Sequence, residues 1–227
     1  MKKRRLSILL SIVMLFSLFP TTALAVAYDS VKVNDILLNN GSYLESNSST
    51  SAETGANTEP TTYVAWYKSG VLTLNNFTGK TNSGIEVQGL TAGDLTIKLI
   101  GTNTITPYTT GIKGNSRSGS ITITADSGSD GNLTINVTNS AQSVYGIDGD
   151  ENSVTITGSA NVIINTEAEN ANQNSYGIKS EAAVSILGSA SVNIIGKTPN
   201  STRTNACYGI YNNDDVVTID TDGTIQI

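Results

Sequence analysis

Hydrophobic residues recur along this chain in short runs that alternate apolar and polar positions. Between residues 145 and 219, one sequence unit occurs twice and begins a third time. Each unit opens with Tyr-Gly-Ile, spaced 31 and then 32 residues apart, at 145–147, 176–178 and 208–210. A second apolar run follows at 154–156, 184–186 and 217–219, and a third, after a turn, at 162–164 and 192–194. Alternation with a period of two predicts β-strands, and a repeat of this length predicts a solenoid.

The repeat extends toward the N-terminus in a looser form without the tyrosine. Its glycine openings are 27, 35, 31 and 32 residues apart, at Gly84, Gly111, Gly146, Gly177 and Gly209. The unequal spacing falls mostly in polar segments such as 125–132, where a solenoid tolerates insertions. Neither helical periodicity nor the leucine spacing of leucine-rich repeats is present. We therefore predict an all-β fold, a parallel β-helix of about five coils over residues 63–227, with three short strands per coil.

The repeat also predicts which residues share a position in successive coils. Strands of neighbouring coils pair about 4.8 Å apart, so equivalent residues form a ladder along the solenoid. The first predicted inward column is Ile85, Ile112, Ile147, Ile178 and Ile210. The second is Leu99, Ile123, Ile156, Ile186 and Ile219, and the third is Ile105, Leu133, Val162, Val192 and Ile225.

The same alternation assigns directions to a charged column and to an aromatic one. The outward position after the first isoleucine changes sign from coil to coil, and reads Glu86, Lys113, Asp148, Lys179 and Tyr211. Opposite charges on neighbouring coils favour the correct register, so we interpret this column as structural. One glycine separates Tyr145, Tyr176 and Tyr208 from the core isoleucines, which predicts that these tyrosines point inward. An exposed aromatic ladder for sugar rings is the alternative.

The segments around the solenoid have other compositions. Residues 26–45 contain two strand-like runs and an Asn-Gly turn, and we interpret them as an N-terminal cap that covers the first coil. Residues 46–62 are polar, lack periodicity and are predicted to form a mobile loop or linker. Residues 220–227 end within a coil without a capping segment, from which we expect a solenoid truncated at its C-terminus.

Residues 1–25 have the pattern of a secretory signal peptide. A basic start at 2–5 precedes an apolar run at 6–19 and the small-residue motif Ala-Leu-Ala at 23–25. This predicts a secreted or cell-surface protein, without stable membrane insertion after cleavage. Four of the 13 basic residues and none of the 19 acidic ones lie in this segment, which leaves a mature charge of −10. Such a charge disfavours nucleic acid as a partner.

Candidate ligand-binding residues are aromatic and acidic. Aromatic faces pack on the C–H groups of sugars, and the residues predicted to be exposed for this purpose are Trp66, Tyr67, Tyr108 and Tyr211. The polar turn at 126–132 has a spacing similar to the start of a calcium loop, with Asp126, Asp130 and Asn132 as candidate ligands. Val137 stands where such a loop has its bidentate glutamate, so a polar turn without metal is the alternative. Calcium is thus the one cofactor that the sequence suggests.

Catalysis has little support in the sequence. The chain contains no histidine, so acid–base chemistry would fall to carboxylates, lysine, arginine or tyrosine. None of these residues stands in a distinctive local motif. We predict a non-catalytic module, with a polysaccharide lyase or glycoside hydrolase as the alternative.

The repeat unit resembles that of repetitive β-helical surface proteins of Gram-positive bacteria. The resemblance rests on Gly-Ile, an alternating Leu-Thr-Ile run and Gly-x-Asn-x-Ile within 84–105, and on Gly-Ser-Ala-Asn-Val at 158–162. Some of these proteins are described as carbohydrate-binding domains of the pectate-lyase-like type, associated with plant-wall polysaccharides and calcium. The resemblance implies a right-handed β-helix and a cell-wall glycan or other polysaccharide as partner. It leaves two hypotheses: a polysaccharide-binding module, or an adhesin stalk that acts as a structural spacer.

Overall fold

The computed structural model describes residues 29–55, 57–80, 82–88, 93–199 and 205–227. The predicted signal peptide, residues 1–25, lies outside the described residues. All regular structure in these ranges is β, and no helix there is long and apolar enough to span a membrane. Strands are expected from this sequence, because apolar and polar residues alternate and threonine, valine and isoleucine favour the extended backbone.

Three sheets of parallel strands run along the molecule. Sheet 1 contains β7 (Ser83–Gln88), β10 (Thr110–Lys113), β13 (Val144–Asp148), β16 (Ser175–Ser180) and β19 (Cys207–Asn212). Sheet 2 contains β5 (Val71–Asn75), β8 (Asp94–Ile100), β11 (Gly119–Ala125), β14 (Asn152–Gly158), β17 (Val184–Gly188) and β20 (Val217–Thr221). Sheet 3 contains β6 (Thr78–Gly79), β9 (Thr102–Ile105), β12 (Asn132–Asn139), β15 (Asn161–Ala168), β18 (Ser191–Lys197) and β21 (Ile225–Gln226).

The chain visits sheet 2, sheet 3 and sheet 1 in turn, and each visit adds one strand beside the previous one. This path makes a parallel β-solenoid of about five turns with three strands per turn. The prediction of an all-β solenoid of about five coils is confirmed.

The first predicted inward column is confirmed, and the other two contain one error each. Ile112 pairs in register with Ile85 and Ile147, as expected. In the second column Ile123 pairs with Ile97, not with Leu99. In the third, Leu133 pairs with Asn103, and Ile105 instead heads a separate ladder with Ile135, Ile164 and Ile194. The apolar positions of a strand repeat every two residues, so the pattern alone does not exclude a shift of two.

A glycine column lies beside the first inward column and explains the repeated Gly-Ile. A Cβ on Gly146 would lie 2.2 Å from Cγ2 of Ile164 in sheet 3 and 2.5 Å from the carbonyl oxygen of Gly177. Gly111 and Gly177 meet Ile135 and Ile194 in the same way, at 2.3 and 2.2 Å. The sheet 3 isoleucine of each coil thus fills the space that a side chain on the glycine would need. Both members of the Gly-Ile pair in sheet 1, which are consecutive residues, therefore face the core.

Strands at the N-terminus extend two of the sheets in antiparallel fashion. Their bounds are β1 (Ser30–Val33), β2 (Ile36–Asn39), β3 (Ser42–Leu44) and β4 (Ala65–Lys68). β1 pairs with β7 and β2, and β4 pairs with β5 and β3. Val31, Val33 and Leu38 are fully buried there. The segment predicted as a linker also contacts the first coil, since the amide of Thr78 donates to Asn47 Oδ1 at 2.8 Å. The boundaries assigned to cap and linker stay predictions.

The last coil differs from the coils beneath it in burial. Val217 and Ile219 are 42% and 50% exposed, although they continue the columns of Val184 and Ile186, which are fully buried. Each coil therefore completes the burial of the coil before it. This is the nearest-neighbour stabilisation expected of a solenoid.

Candidate functional site

Three tyrosines form a stacked ladder on the outer surface of sheet 1. Tyr145, Tyr176 and Tyr208 pair in register on β13, β16 and β19. Their ring centroids are 5.0 and 5.1 Å apart, with interplanar angles of 1° and 8°. All three rings are partly exposed, so the prediction that they point inward is wrong. The reason is the glycine column: Gly146 already faces the core beside Ile164, which interrupts simple alternation and turns the tyrosine outward.

A fourth tyrosine packs against the ladder edge-on. The ring of Tyr211 lies 5.6 Å from that of Tyr176 and 4.9 Å from that of Tyr208, at angles of 71° and 65°. Edge-to-face and offset stacked geometries are those that aromatic quadrupoles favour. We call Tyr145, Tyr176, Tyr208 and Tyr211 together the tyrosine face.

Charged residues border the tyrosine face in the predicted outward column. The structure pairs the residues of this column in the register that the sequence predicts, namely Glu86, Lys113, Asp148, Lys179 and Tyr211. Lys113 Nζ lies 3.7 Å from Glu86 Oε1, and Lys179 Nζ lies 3.6 Å from Asp148 Oδ1. Lys179 Nζ also lies 5.7 Å from the ring centroid of Tyr145. The face thus combines aromatic rings with both a positive and a negative group.

Burial and neighbouring charges shift the pKa values of Asp148, Tyr145 and Lys179. Desolvation raises the pKa of Asp148, and the ammonium of Lys179 offsets only part of that rise. Desolvation, followed by the carboxylate of Asp148, also raises the pKa of the Tyr145 hydroxyl. For Lys179 burial alone would lower the pKa, but Asp148 and the other acidic neighbours raise it overall. The three groups therefore influence one another's charge.

A pocket opens where the ladder begins. Thr110 occupies the ladder position one coil before Tyr145, so the stack of rings does not continue into that coil. The resulting pocket of about 460 Å³ is lined by Thr110, Lys113, Ser143, Tyr145 and Asp148, among others. A stacking surface, hydroxyls, a cation and an anion thus lie around one shallow and mostly polar pocket.

The four aromatic residues singled out from the sequence lie in different places. Trp66 is half-buried on sheet 2, edge-on to Tyr63 at 6.2 Å, and borders a pocket of about 280 Å³. Tyr67 is fully buried, and this burial raises its pKa to about 12. Its expected exposure is therefore wrong, because Trp66 takes the outward position of β4 and the next residue must face the core. Tyr108 is 57% exposed in the loop before β10, and Tyr211 belongs to the tyrosine face.

Two of the three candidate calcium residues, Asp126 and Asn132, use side-chain oxygens for contacts within the protein. Asp126 Oδ2 lies 2.7 Å from Lys98 Nζ. Asn132 Oδ1 accepts a hydrogen bond from Asn161 Nδ2 at 2.8 Å, and the backbone carbonyl of Asp130 accepts one from Asn132. Within the described ranges, no three or more histidine, cysteine, aspartate or glutamate side chains are grouped so as to hold a metal ion. Calcium binding at this turn stays a prediction.

Sequence reasoning placed the three tyrosines in one column but favoured the wrong direction for their side chains, because it relied on alternation alone. The signal that could have revealed it is the glycine after each tyrosine, which recurs at every coil opening. A glycine inside a strand often marks the close approach of another group. Here that group is an isoleucine of sheet 3.

Comparison with protein-family models, with curated proteins and with solved structures found no match to this chain. The functional interpretation therefore rests on the residues of the candidate site.

Proposed function

We propose that this chain is a non-catalytic module of a secreted or cell-surface protein and binds extracellular polysaccharide through its tyrosine face. The observation that carries the proposal is the stack of Tyr145, Tyr176 and Tyr208, with Tyr211 packed edge-on, on one partly exposed surface. The predicted signal peptide and the resemblance to repetitive β-helical surface proteins of Gram-positive bacteria support an extracellular setting.

The chemistry of the face suits a sugar polymer. Pyranose rings present apolar C–H faces and polar hydroxyl edges, which match the apolar rings and wet hydroxyls of tyrosine. Lys113 and Lys179 supply donors, and Asp148 supplies an acceptor. A mature charge of −10 works against nucleic acid and other strongly acidic polymers.

The same residues favour binding over hydrolysis. Most glycoside hydrolases use two carboxyl groups that flank the bond to be broken. Among the residues described around the pocket beside Tyr145, Asp148 is the one carboxylate. The other carboxylate of the charged column, Glu86, lies 3.7 Å from Lys113 Nζ, so both acids of this column pair with lysines, which favours a binding role over acid–base catalysis.

The test is retention of the full-length chain, expressed in a secreting host, on a panel of insoluble polysaccharides with and without calcium. We expect selective retention that Tyr211→Ala reduces and Trp66→Ala on sheet 2 does not. Loss with Trp66→Ala alone would instead place the binding surface on sheet 2. Retention only with calcium would favour a role for the turn at Asp126. No retention of a folded sample on any polymer would contradict the proposal.

A structural spacer or adhesin stalk is the second candidate, and a specific observation favours it. One outward column of sheet 2 carries small uncharged residues from β8 to β20, namely Thr96, Thr122, Thr155, Ser185 and Thr218. On sheet 3, Asn165 Nδ2 donates to Asn136 Oδ1 at 2.8 Å, a hydrogen bond that links neighbouring coils. A folded chain that binds no polysaccharide yet resists unfolding under force would support the spacer.

A further inference from the structure

We infer that the pocket at the start of the tyrosine ladder is a subsite for one neutral pyranose ring, which stacks on the open face of Tyr145. The inference rests on the proposed function and adds where a sugar unit binds and which class of sugar it is. We call this pocket, lined by Thr110, Lys113, Ser143, Tyr145 and Asp148, the ladder pocket.

The geometry of the stack defines the position of the ring. Tyr176 covers one face of Tyr145 at 5.0 Å and 1°. The other face is directed toward the preceding coil, where Thr110 holds the ladder position and is only 6% exposed. The ladder is therefore short by one ring at this point. A flat ligand above Thr110 would continue the stack in the orientation that the tyrosines already have.

The wall of the ladder pocket is held by hydrogen bonds before any ligand binds. Asn139 Oδ1 accepts the amides of Ala141 at 2.7 Å and Gln142 at 3.0 Å, while Asn139 Nδ2 donates to the Tyr108 carbonyl at 2.9 Å. Ser143 Oγ accepts the amide of Asn174 at 3.0 Å. These contacts tie the loop before β13 to the coils on both sides. A preformed wall lowers the ordering cost of binding.

The charges of the ladder pocket favour a neutral sugar. Lys113 contributes an ammonium and Asp148 a carboxylate, so the two formal charges cancel. Sugar hydroxyls both donate and accept, and can use the two groups together. Lys113 already pairs with Glu86, so the carboxylate of a uronic acid would compete with Glu86 for that ammonium, close to Asp148 and on a chain with excess negative charge. Repulsion between like charges would then oppose its binding.

The experiment is an NMR titration of the full-length chain from a secreting host, observing the Tyr145 ring and the amides of Thr110 and Ser143. The neutral probes are maltose, cellobiose and xylobiose, and the acidic probe is digalacturonic acid. We expect saturable shifts at these signals with at least one neutral disaccharide, and at least about tenfold weaker binding of the acidic one. Equal or tighter binding of the acidic probe would overturn the assignment to a neutral sugar.

Two substitutions at the ladder test the stacking directly. Thr110→Tyr places a ring at a ladder position that is only 6% exposed, so overpacking should lower the stability, and the fold of the variant is checked by circular dichroism. In the folded variant we expect disaccharide binding to weaken at least about tenfold. The matched control is Thr122→Tyr, the same exchange at an outward position of sheet 2, which should bind as the unsubstituted chain does. Tyr145→Phe keeps the ring and should retain binding, whereas Tyr145→Ala should lose it.

The outcomes separate this inference from the proposed function. Retention on a polysaccharide without shifts at Tyr145 would overturn the subsite and leave the polysaccharide-binding module in place. Shifts at Tyr145 without retention on any polymer would support the subsite and contradict the polysaccharide-binding module. Absence of both would contradict both. Unchanged binding by a folded Thr110→Tyr variant would also overturn the subsite.

Discussion

Sheets 1 and 2 have equivalent interiors and different exteriors. Ile147 of sheet 1 and Ile156 of sheet 2 are both fully buried in ladders of isoleucine, and both sheets are built from parallel strands one coil apart. Outside, sheet 1 carries stacked tyrosines beside lysines and an aspartate. Sheet 2 carries mostly threonine and serine from β11 to β17, together with Asp94 and Lys98 on β8 and Trp66 on β4. The comparison teaches that the inward columns define the solenoid, while the outward columns are free to differ and carry the groups on which the proposed binding rests.

The glycine column of sheet 1 underlies this difference. β8, β11 and β14 of sheet 2 alternate regularly, so every second residue of their central parts is buried. In β13 Gly146 and Ile147 are both buried, and Tyr145 is displaced to the outer surface. The tyrosine face therefore depends on a glycine that meets the isoleucine of sheet 3. The following predictions test how far the two sheets really differ.

The largest expected effect is that of Gly146→Ala. The new Cβ would lie 2.2 Å from Ile164 Cγ2 and 2.5 Å from the Gly177 carbonyl oxygen. This oxygen belongs to the backbone of the next coil, so it cannot move aside as the end of a flexible side chain can. We expect the free energy of unfolding to fall by about 3 kcal/mol, as measured by urea denaturation. Gly128→Ala is the control, because it meets nothing within 4 Å and carries only the strain of a φ of +79°. A loss no larger than that of Gly128→Ala would contradict the close-packing role.

Removing the central tyrosine should cost less than the glycine change. Tyr176 stacks on both Tyr145 and Tyr208, and each aromatic pair contributes about 0.5–1.5 kcal/mol beyond area burial. Tyr176→Ala should therefore lower the free energy of unfolding by about 2 kcal/mol in thermal or urea denaturation. Thr155→Ala at an outward position of sheet 2 should stay within about 0.5 kcal/mol. Equal losses would show that the two outer surfaces contribute alike to stability.

The stability of the chain should depend on pH through Asp148 on sheet 1. Burial raises the pKa of Asp148 above its ordinary 3.8, so the folded chain binds this proton more tightly than the unfolded chain. The stability contributed by Asp148 is then greatest below 3.8 and falls as pH rises through its raised folded pKa. Asp148→Asn cannot titrate, so the stability of the unsubstituted chain relative to this variant should fall across that interval. Urea midpoints between about pH 3 and 8 measure the difference; a rise with pH would contradict it.

The smallest expected effect is that of Lys113→Ala. Its ammonium lies 3.7 Å from Glu86, and its side chain is 48% exposed, so solvent and salt weaken the pair. We expect a change within about 0.5 kcal/mol in the free energy of unfolding. Lys179→Ala should have the larger effect, because Lys179 and Asp148 are less exposed, at 26% and 19%. The reverse order in urea denaturation would contradict this ranking of the two pairs.

Register was predictable only where the sequence contained a distinctive marker. The Gly-Ile pair occurs once per coil, so the column of Ile147 and the charged column of Asp148 were predicted correctly. β8 contains three fully buried residues at steps of two, Leu95, Ile97 and Leu99. Nothing in their apolar pattern indicates which one faces Ile123. The correct choice, Ile97, follows from the pairing of whole strands across coils.

The sequence by itself determined the all-β solenoid, its number of coils and the column of core isoleucines. It did so because each coil repeats the same local pattern, and a repeated pattern favours the same local structure each time. Only the tertiary structure decided the direction of the tyrosines and the position of the ladder pocket. Both depend on contacts between residues far apart in the chain: Ile164 fills the space beside Gly146, and Thr110 stands one coil before Tyr145. Contacts between coils are set by how the coils stack, which local alternation does not encode.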